Sequence, residues 1–161
     1  MSWVLHRIDD RLIHGQVLVA WGARHDPARI WIADDAVAAN DWERQLYLDA
    51  APGIEVRIVG VTEAAAAHAA EAEAPGAAFL LVRDLRAARR LVEAGARVAA
   101  FNLGGLHYAT GKSRLNDFVY LDDADREDAR ALLRLGVALE AQDVPASRAR
   151  ALIELEPELA R

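Results

Sequence analysis

The chain has 161 residues, 53% hydrophobic and 27% charged, a balance typical of one globular domain and not of a disordered chain. It contains no cysteine, which excludes disulfide bonds, thiolate metal ligands and a cysteine nucleophile. The formal net charge of −6 disfavours a nucleic-acid-binding function, and no apolar run reaches the roughly 18 residues of a membrane span. No signal-peptide pattern opens the chain, so we expect a cytoplasmic protein.

Short apolar or β-branched runs alternate with helical patterns in chain order. The predicted strands cover 3–8, 29–33, 55–59, 78–82, 98–102, 118–121 and 137–141. The predicted helices cover 16–24, 38–50, 62–74, 84–93, 122–135 and a final segment after Pro145. Such alternation implies right-handed crossovers between parallel strands. We therefore expect a single α/β domain over residues 1–161, with a doubly wound, mostly parallel sheet of about seven strands and helices on both faces.

The loop after the first predicted strand, 9–16, has the richest chemistry of the chain. Open α/β sheets place their sites at the carboxyl ends of strands, where this loop lies. It contains His14, and an imidazole is a nucleophile that titrates near neutral pH. A phosphoryl group on that ring would meet the backbone N–H groups of Gly15 and Gln16, at the positive end of a helix dipole.

The charged residues of the same loop suit a phosphoryl group. Arg11 would offer its planar guanidinium to the phosphoryl oxygens, and Asp9 or Asp10 would orient Arg11 or the imidazole. The structural alternative is that Asp10 caps the helix, Arg11 pairs with it on the surface, and His14 is a polar loop residue.

A glycine-containing loop follows the fifth predicted strand and resembles a nucleotide-binding loop at first sight. A phosphate-binding P-loop needs four residues between its first glycine and the Gly-Lys-Ser/Thr group, followed by a helix. Five residues separate Gly105 from Gly111, and a strand pattern follows instead of a helix. These two departures exclude the P-loop.

The same loop has a second interpretation, as a wall of the site around His14. Asn102, Gly104 and Gly105 would leave the fifth strand beside the first, and His107 would approach the same sheet edge. A plain connecting loop is the alternative.

The other histidines predict no metal site. We expect His6 to lie on a strand face, His25 at the end of a helix, and His68 on the exposed side of an alanine-rich helix. No pair has the spacing of metal ligands on one helix, so we expect no metal.

The run RIDDRLIHGQV, at Arg7–Val17, closely resembles the phosphorylation-site signature of one family. This family is the IIB components of the mannose/fructose/sorbose class of the phosphoenolpyruvate-dependent sugar phosphotransferase system. Residues 33–35 and 39–41 are similar to its second loop and helix start. Residues 102–105 resemble its Asn-x-Gly-Gly loop, and 142–145 its last strand exit. The resemblance extends over essentially the whole chain.

The resemblance implies a protein-histidine phosphotransferase. His14 would accept a phosphoryl group from a phosphohistidine on a IIA protein and pass it to a sugar held by membrane-embedded IIC and IID subunits. The protein would be cytoplasmic, or peripheral to the inner face of the membrane through IIC and IID. It also implies a mostly parallel seven-stranded sheet with an antiparallel part near the end, and no cofactor or metal.

The resemblance also assigns roles to neighbours of His14. Arg11 would be the guanidinium that stabilises the phosphate, with Asp10 beside it, and the loop amides would come from Gly15 and Gln16. Asp35, in the second loop, is a further candidate for the site wall.

Because the net charge is acidic, a basic surface that faces the IIA donor protein can be only a small patch. We expect such a patch from Arg7, Arg11, Lys112 and Arg114. Candidate apolar contacts with a partner are Trp21, Trp42 and Tyr108, although core packing is the commoner use of tryptophan.

Three alternatives stay open at this point. A module that signals its phosphorylation state through protein contacts would carry the same motif, and a small-molecule-binding module would leave His14 inert. A homo-oligomer is equally compatible with the sequence.

Overall fold

A seven-stranded sheet forms the centre of the computed structural model, which describes residues 2–161. The strands are β1 Trp3–Asp9, β2 Arg29–Ala33, β3 Glu55–Val59, β4 Ala78–Val82, β5 Ala100–Gly105, β6 Ser113–Arg114, β7 Tyr120–Leu121, β8 Ala138–Ala141 and β9 Arg150–Ala151. The large sheet has the order β3-β2-β4-β1-β5-β8-β9, and its pairs are parallel except β8 with β9. The predicted mostly parallel α/β sheet of seven strands is confirmed.

The helices occupy the connections between these strands. A segment with π-type hydrogen bonds, Val17–Trp21, continues into α1 Gly22–His25, followed by α2 Asp35–Ala38, α3 Asp41–Ala50, α4 Val61–Ala72, α5 Leu85–Glu93, α6 Asp123–Arg134, α7 Leu152–Leu155 and a 3₁₀ turn, Pro157–Ala160. Side-chain oxygens of Asp34, Asn40, Asp84 and Asp122 cap α2, α3, α5 and α6. Within residues 2–161, none of the helices combines the length and the apolar character that crossing a membrane requires.

Two apolar layers cover the two faces of the sheet. Strands β2 and β4 are buried at every residue, because helices lie on both of their sides. One layer packs α4, α5 and α6 against the sheet through residues such as Leu85, Leu91 and Leu132. The other layer includes Val17 and Trp21 from the segment after β1. The prediction of helices on both faces is therefore confirmed.

Three predicted elements differ from the structure. The predicted helix 38–50 begins only at Asp41, because Asn40 leaves the helical conformation and caps α3, and a separate short helix, α2, ends at Ala38. The predicted strand 118–121 does not join the large sheet: its last two residues form β7, which pairs with β6, and the seventh place belongs to β9. The predicted helix after Pro145 begins only at Leu152.

The strand order brings two loops together at one sheet edge. Strand β1 lies between β4 and β5, and the chain leaves it toward β2 and β3 before it crosses over to β5 and β8. Crossovers that diverge from neighbouring strands open a crevice at their carboxyl ends. At this edge Asp9 is in register with Gly105, and the N–H of Asp10 donates to the carbonyl of Gly105 over 2.9 Å. The loop after β1 therefore lies beside the end of β5.

Candidate active site

The carboxylate of Asp9, the last residue of β1, is the centre of the site. It is fully buried, and its Oδ2 lies 2.8 Å from Nε2 of His14. Its Oδ1 accepts from the backbone N–H of Arg11 over 3.1 Å and lies 3.4 Å from Nε of that side chain. The chain turns back at Leu12, which has a φ of 57° and donates its N–H to the carbonyl of Asp9 over 3.0 Å. This tight turn brings His14 over the strand end from which it departed.

Arg7 lies beneath Asp9 and is also fully buried. Its guanidinium donates to the side-chain oxygen of Asn102, and to the backbone carbonyls of Gln142 over 3.0 Å and Asp143 over 2.9 Å. Its Nη2 lies 3.5 Å from Oδ2 of Asp9. A cation bound to carbonyls from the β8 exit thus supports the carboxylate that contacts His14.

Both members of this buried pair are charged at neutral pH. Burial lowers the pKa of Arg7 to about 10, partly offset by the charge of Asp9, so the guanidinium remains protonated. Burial alone would raise the pKa of Asp9. Hydrogen bonds from His14 and the N–H of Arg11, with the charge of Arg7, outweigh burial and leave that pKa below its usual value. The site therefore has a fixed anion beneath the imidazole.

Two glycines at the end of β5 give these side chains their room. A Cβ on Gly104 would overlap the guanidinium of Arg7. A Cβ on Gly105 would lie 3.2 Å from Oδ1 of Asp9, 3.2 Å from Cε1 of His107 and 3.4 Å from Nη2 of Arg11. Gly105 is thus the point where three polar side chains converge, and the structure places this predicted wall residue beside the loop that contains His14.

The imidazole of His14 keeps one open edge. Its side chain is 13% exposed, and within residues 2–161 its Nδ1 has no hydrogen-bond partner. A Cβ built on Gly15 meets no atom of the described part of the chain within 4 Å, so these residues leave the space beside the helix start free. Gly15 and Gln16 are exposed and begin the helical segment, whose first N–H groups lack partners inside the helix. These features leave room for an anion next to His14.

Asp10 has a different neighbour from the one predicted. The resemblance put it beside Arg11, but its carboxylate accepts from the backbone N–H of His107 over 2.8 Å and lies 2.6 Å from Nδ1 of that ring. Asp10 is the first residue of the turn that follows β1, and its side chain meets His107 instead of Arg11. Asp9, not Asp10, contacts both Arg11 and His14, and Asp10 holds His107.

Asp35 is not brought to this site. Its carboxylate accepts from the N–H of Val61 and from Nη1 of Arg90, both over 2.8 Å. Strand β4 separates β2, which precedes Asp35, from β1. Asp35 ties the starts of α2 and α4 to α5, so it does not form a wall around His14.

The expected basic patch is reduced to one residue. Arg7, expected at the surface, lies inside because both faces of β1 are covered at this end of the strand. Lys112 pairs with Asp125 over 3.1 Å, and Arg114 pairs with an aspartate of its own loop. Arg11, 41% exposed, is the expected cation that remains at the site. The sequence signal for a buried Arg7 was its position inside a predicted strand, directly before Ile8.

Several known proteins are similar to this chain in sequence and in fold. The family model of the PTS system sorbose subfamily IIB component matches residues 3–158. The PTS system sorbose-specific EIIB component of Klebsiella pneumoniae is 36% identical over 141 residues, which cover 87% of this chain and 86% of that protein. The PTS system mannose-specific EIIAB component of Escherichia coli K12 is 34% identical over 141 residues. The match covers 87% of this chain but 44% of that protein, so the chain spans less than half of this relative.

A solved structure agrees with these matches. The crystal structure of the IIBSor domain of the sorbose permease from Klebsiella pneumoniae superimposes with a TM-score of 0.88, at 33% identity over 99% of both chains. The chain therefore belongs to the sorbose-subfamily IIB components of the sugar phosphotransferase system. The family resemblance of the motif around His14 is thereby confirmed.

Proposed function

We propose that residues 1–161 act as one cytoplasmic phosphohistidine carrier. His14 accepts a phosphoryl group from a phosphohistidine of a IIA protein and passes it to a sugar during uptake through IIC and IID subunits. The observation that supports this most strongly is the geometry of His14, whose ring is held at Nε2 by a buried carboxylate and is open at Nδ1. Family membership supports the general phosphotransfer role.

The contact with Asp9 determines which nitrogen of His14 reacts. A carboxylate oxygen 2.8 Å from Nε2 keeps the proton on that nitrogen, so the lone pair is on Nδ1. Nδ1 attacks the phosphorus of the donor phosphohistidine. A new P–N bond forms as the P–N bond to the donor nitrogen breaks, and the electron pair returns to the donor ring. The Nε2–H stays on His14, and the anionic Asp9 stabilises the positive charge that the ring gains.

The oxygens of the transferred group meet three donors. The N–H groups of Gly15 and Gln16 lie at the helix start, and the guanidinium of Arg11 lies on the other side of Asp9. The guanidinium contacts are long, 3.4 Å to Asp9 and 3.5 Å to the side-chain oxygen of Gln16, so turning toward the phosphoryl oxygens costs little. Fixed donors of this kind stabilise phosphoryl charge without a metal.

Exposed aromatic side chains supply surface for the donor protein. Trp42 is 70% exposed and Tyr108 68% exposed, whereas Trp21 is buried in the core. Trp42 is on α3, whose Tyr47 hydroxyl lies 3.5 Å from the carbonyl of Arg11. Tyr108 follows His107 at the site. Trp42 and Tyr108 are therefore the exposed aromatic residues we propose for a transient contact with the donor protein.

Phosphorylation from a defined donor tests the proposal. The protein is incubated with phosphoenolpyruvate, the general phosphotransfer proteins and a sorbose- or mannose-class IIA protein, and its intact mass is recorded. We expect one added phosphoryl group in the wild type and in the matched control His25→Ala. We expect none in His14→Ala, whose circular dichroism spectrum stays that of the wild type. Labelling of His14→Ala to the wild-type level contradicts the assignment.

A second experiment distinguishes a phosphoryl carrier from a signalling module. Phosphorylated protein is mixed with membrane vesicles that contain sorbose- or mannose-class IIC and IID subunits, with and without sugar. A carrier loses its phosphoryl group only when sugar is present. Retention of the group under both conditions contradicts sugar uptake and favours the signalling alternative.

A further inference from the structure

A cavity of about 590 Å³ lies at the opposite end of β1 from Asp9. It is partly open to solvent and is lined by α4, by the first residues of β1 and β5, and by the segment that precedes β5. The helix and the strand contribute alanines here, Ala69, Ala72 and Ala100, and Gly95 contributes no side chain. Because these residues are small, α4 does not fill the space above the sheet.

Two histidines meet at this cavity. His6 of β1 and His68 of α4 both line it, and their Nε2 atoms are 2.8 Å apart. The ring of His68 stacks on Trp3 with centroids 4.9 Å apart and planes 12° apart, and the indole N–H of Trp3 donates to the carbonyl of His68 over 3.0 Å. His68, predicted to be exposed, is only 5% exposed. The prediction was wrong because helix periodicity places this residue against the sheet.

The histidine pair is uncharged at neutral pH. Burial, with the neighbouring His68, lowers the pKa of His6 to about 3, and burial lowers the pKa of His68 as well. One Nε2 must donate and the other must accept across the 2.8 Å contact. The two Nδ1 atoms therefore differ: one carries a proton and the other a lone pair. The pair offers one neutral donor and one neutral acceptor.

The other residues that line the cavity form two groups, an apolar interior and a charged rim. Trp3 and Phe101 contribute aromatic surface, and the edge of Phe101 meets the ring of His6 with centroids 6.0 Å apart. Glu73, Arg97 and Glu140 are exposed and lie at the mouth. Two of these three charges are carboxylates, which disfavour an anionic ligand. The interior favours a flat, uncharged molecule.

We propose that this cavity is a binding site for an uncharged, planar heteroaromatic ligand that offers one hydrogen-bond donor and one acceptor to the His6–His68 pair. Neighbouring residues of a strand point to opposite faces, so His6 faces away from Arg7 and the site around His14. The inference is independent of the phosphotransfer role, because His14, Asp9, Arg11, Gly15 and Gln16 do not line the cavity. Asn102 does line it, but its side-chain oxygen accepts from Arg7. Apolar pockets with a few placed polar groups are the usual form of small-molecule sites.

Benzimidazole is a suitable probe, because it is planar, neutral at mildly alkaline pH, and has one ring N–H and one ring nitrogen acceptor. Its binding to the full chain is followed by the NMR signal of the Trp3 indole N–H, which contacts His68. We expect a saturable shift in the wild type and in the matched control Ala66→Leu, on the exposed side of α4. Ala72→Leu fills the cavity, and we expect it to weaken binding at least about tenfold.

Two further arms test the polar part of the proposal. His6→Phe keeps a ring but removes one of the two polar groups of the pair and leaves His68 alone, and we expect it to weaken benzimidazole binding about tenfold. Benzoate, an anion of similar size, should bind more weakly than benzimidazole. A Trp3 shift that never saturates, unchanged affinity in Ala72→Leu or His6→Phe, or benzoate binding as tight as benzimidazole overturns the proposal. If Ala72→Leu does not fold, Ala69→Leu serves as the filling variant.

Discussion

The imidazole of His14 is joined to the carboxylate of Asp9 by a contact of 2.8 Å between Nε2 and Oδ2. The carboxylate is fully buried, whereas the ring keeps an exposed edge. Arg7 lies 3.5 Å below the same carboxylate oxygen, so a buried cation, a buried anion and a reactive ring form a continuous series. Orientation of the ring therefore depends on residues inside β1, not only on the loop that contains His14.

The buried ion pair of Arg7 and Asp9 predicts that Asp9→Asn strongly lowers the free energy of unfolding. Neutralising Asp9 leaves the charge of Arg7 buried without its anion, and breaking such a pair costs about 3 kcal/mol. The matched change, Asp10→Asn, affects a half-exposed contact with His107 and should cost less than about 1 kcal/mol. The free energy of unfolding from urea denaturation measures both. Equal losses in the two variants would show that Asp9 and Arg7 do not act as a buried pair.

Close packing at the end of β5 predicts that Gly104→Ala is poorly tolerated. The added methyl group would overlap the guanidinium of Arg7, whose carbonyl contacts leave it no alternative position. We expect a loss of about 3 kcal/mol in the free energy of unfolding. Gly15→Ala is the control, because its added methyl meets no atom within 4 Å, and it should change stability by less than about 1 kcal/mol. A stable Gly104→Ala protein would contradict this packing.

Arg11→Ala should slow phosphoryl acceptance without unfolding the protein. Its guanidinium is 41% exposed and lies beside Asp9, so its removal costs little packing. Loss of one charge-stabilising donor should lower the transfer rate from the IIA protein by roughly one to three orders of magnitude. Rapid-quench measurement of the initial rate tests this, with the exposed Arg24→Ala as control. If Arg11→Ala reacts at the rate of the Arg24→Ala control, Arg11 has no role in the transfer.

The buried pair of His6 and His68 predicts that the free energy of unfolding rises with pH. His6 has a folded pKa of about 3 against 6.5 in the unfolded chain, so between these values the unfolded state binds a proton that the folded state does not. Acidification in this window should cost up to about 1.4 kcal/mol per pH unit for His6. The variant His6→Phe should lose that part of the slope. Urea denaturation at several pH values measures both slopes, and parallel slopes would contradict a neutral, buried His6.

Much of the fold follows from local patterns. The uninterrupted apolar runs at 29–33 and 78–82 predict strands buried on both faces, and both are interior strands of the sheet. The start of α3 at Asp41 and the separate helix α2 before it were missed, because the capping of α3 by Asn40 interrupts a sequence that is otherwise compatible with one helix. The pairing of β9 with β8 also depends on tertiary contacts, since two-residue strands have no pattern of their own.

The sequence predicted those parts of the site whose residues are close together in the chain. His14, Arg11 and Gly15 lie within five positions of each other, and the structure keeps them together. The choice between Asp9 and Asp10 was open, because the sequence does not show at which of the two aspartates β1 ends and the turn begins. The contact of His6 with His68 joins residues far apart in the chain, and no local pattern indicates it.

The most direct test of the central claim is the position of the phosphoryl group in the phosphorylated protein. Heteronuclear NMR of protein labelled with ¹⁵N, after phosphorylation by the IIA donor, identifies the modified residue and ring nitrogen. We predict a single phosphohistidine at Nδ1 of His14, with Nε2 still protonated against Asp9. A phosphoryl group on Nε2 of His14, or on any other residue, would contradict the account.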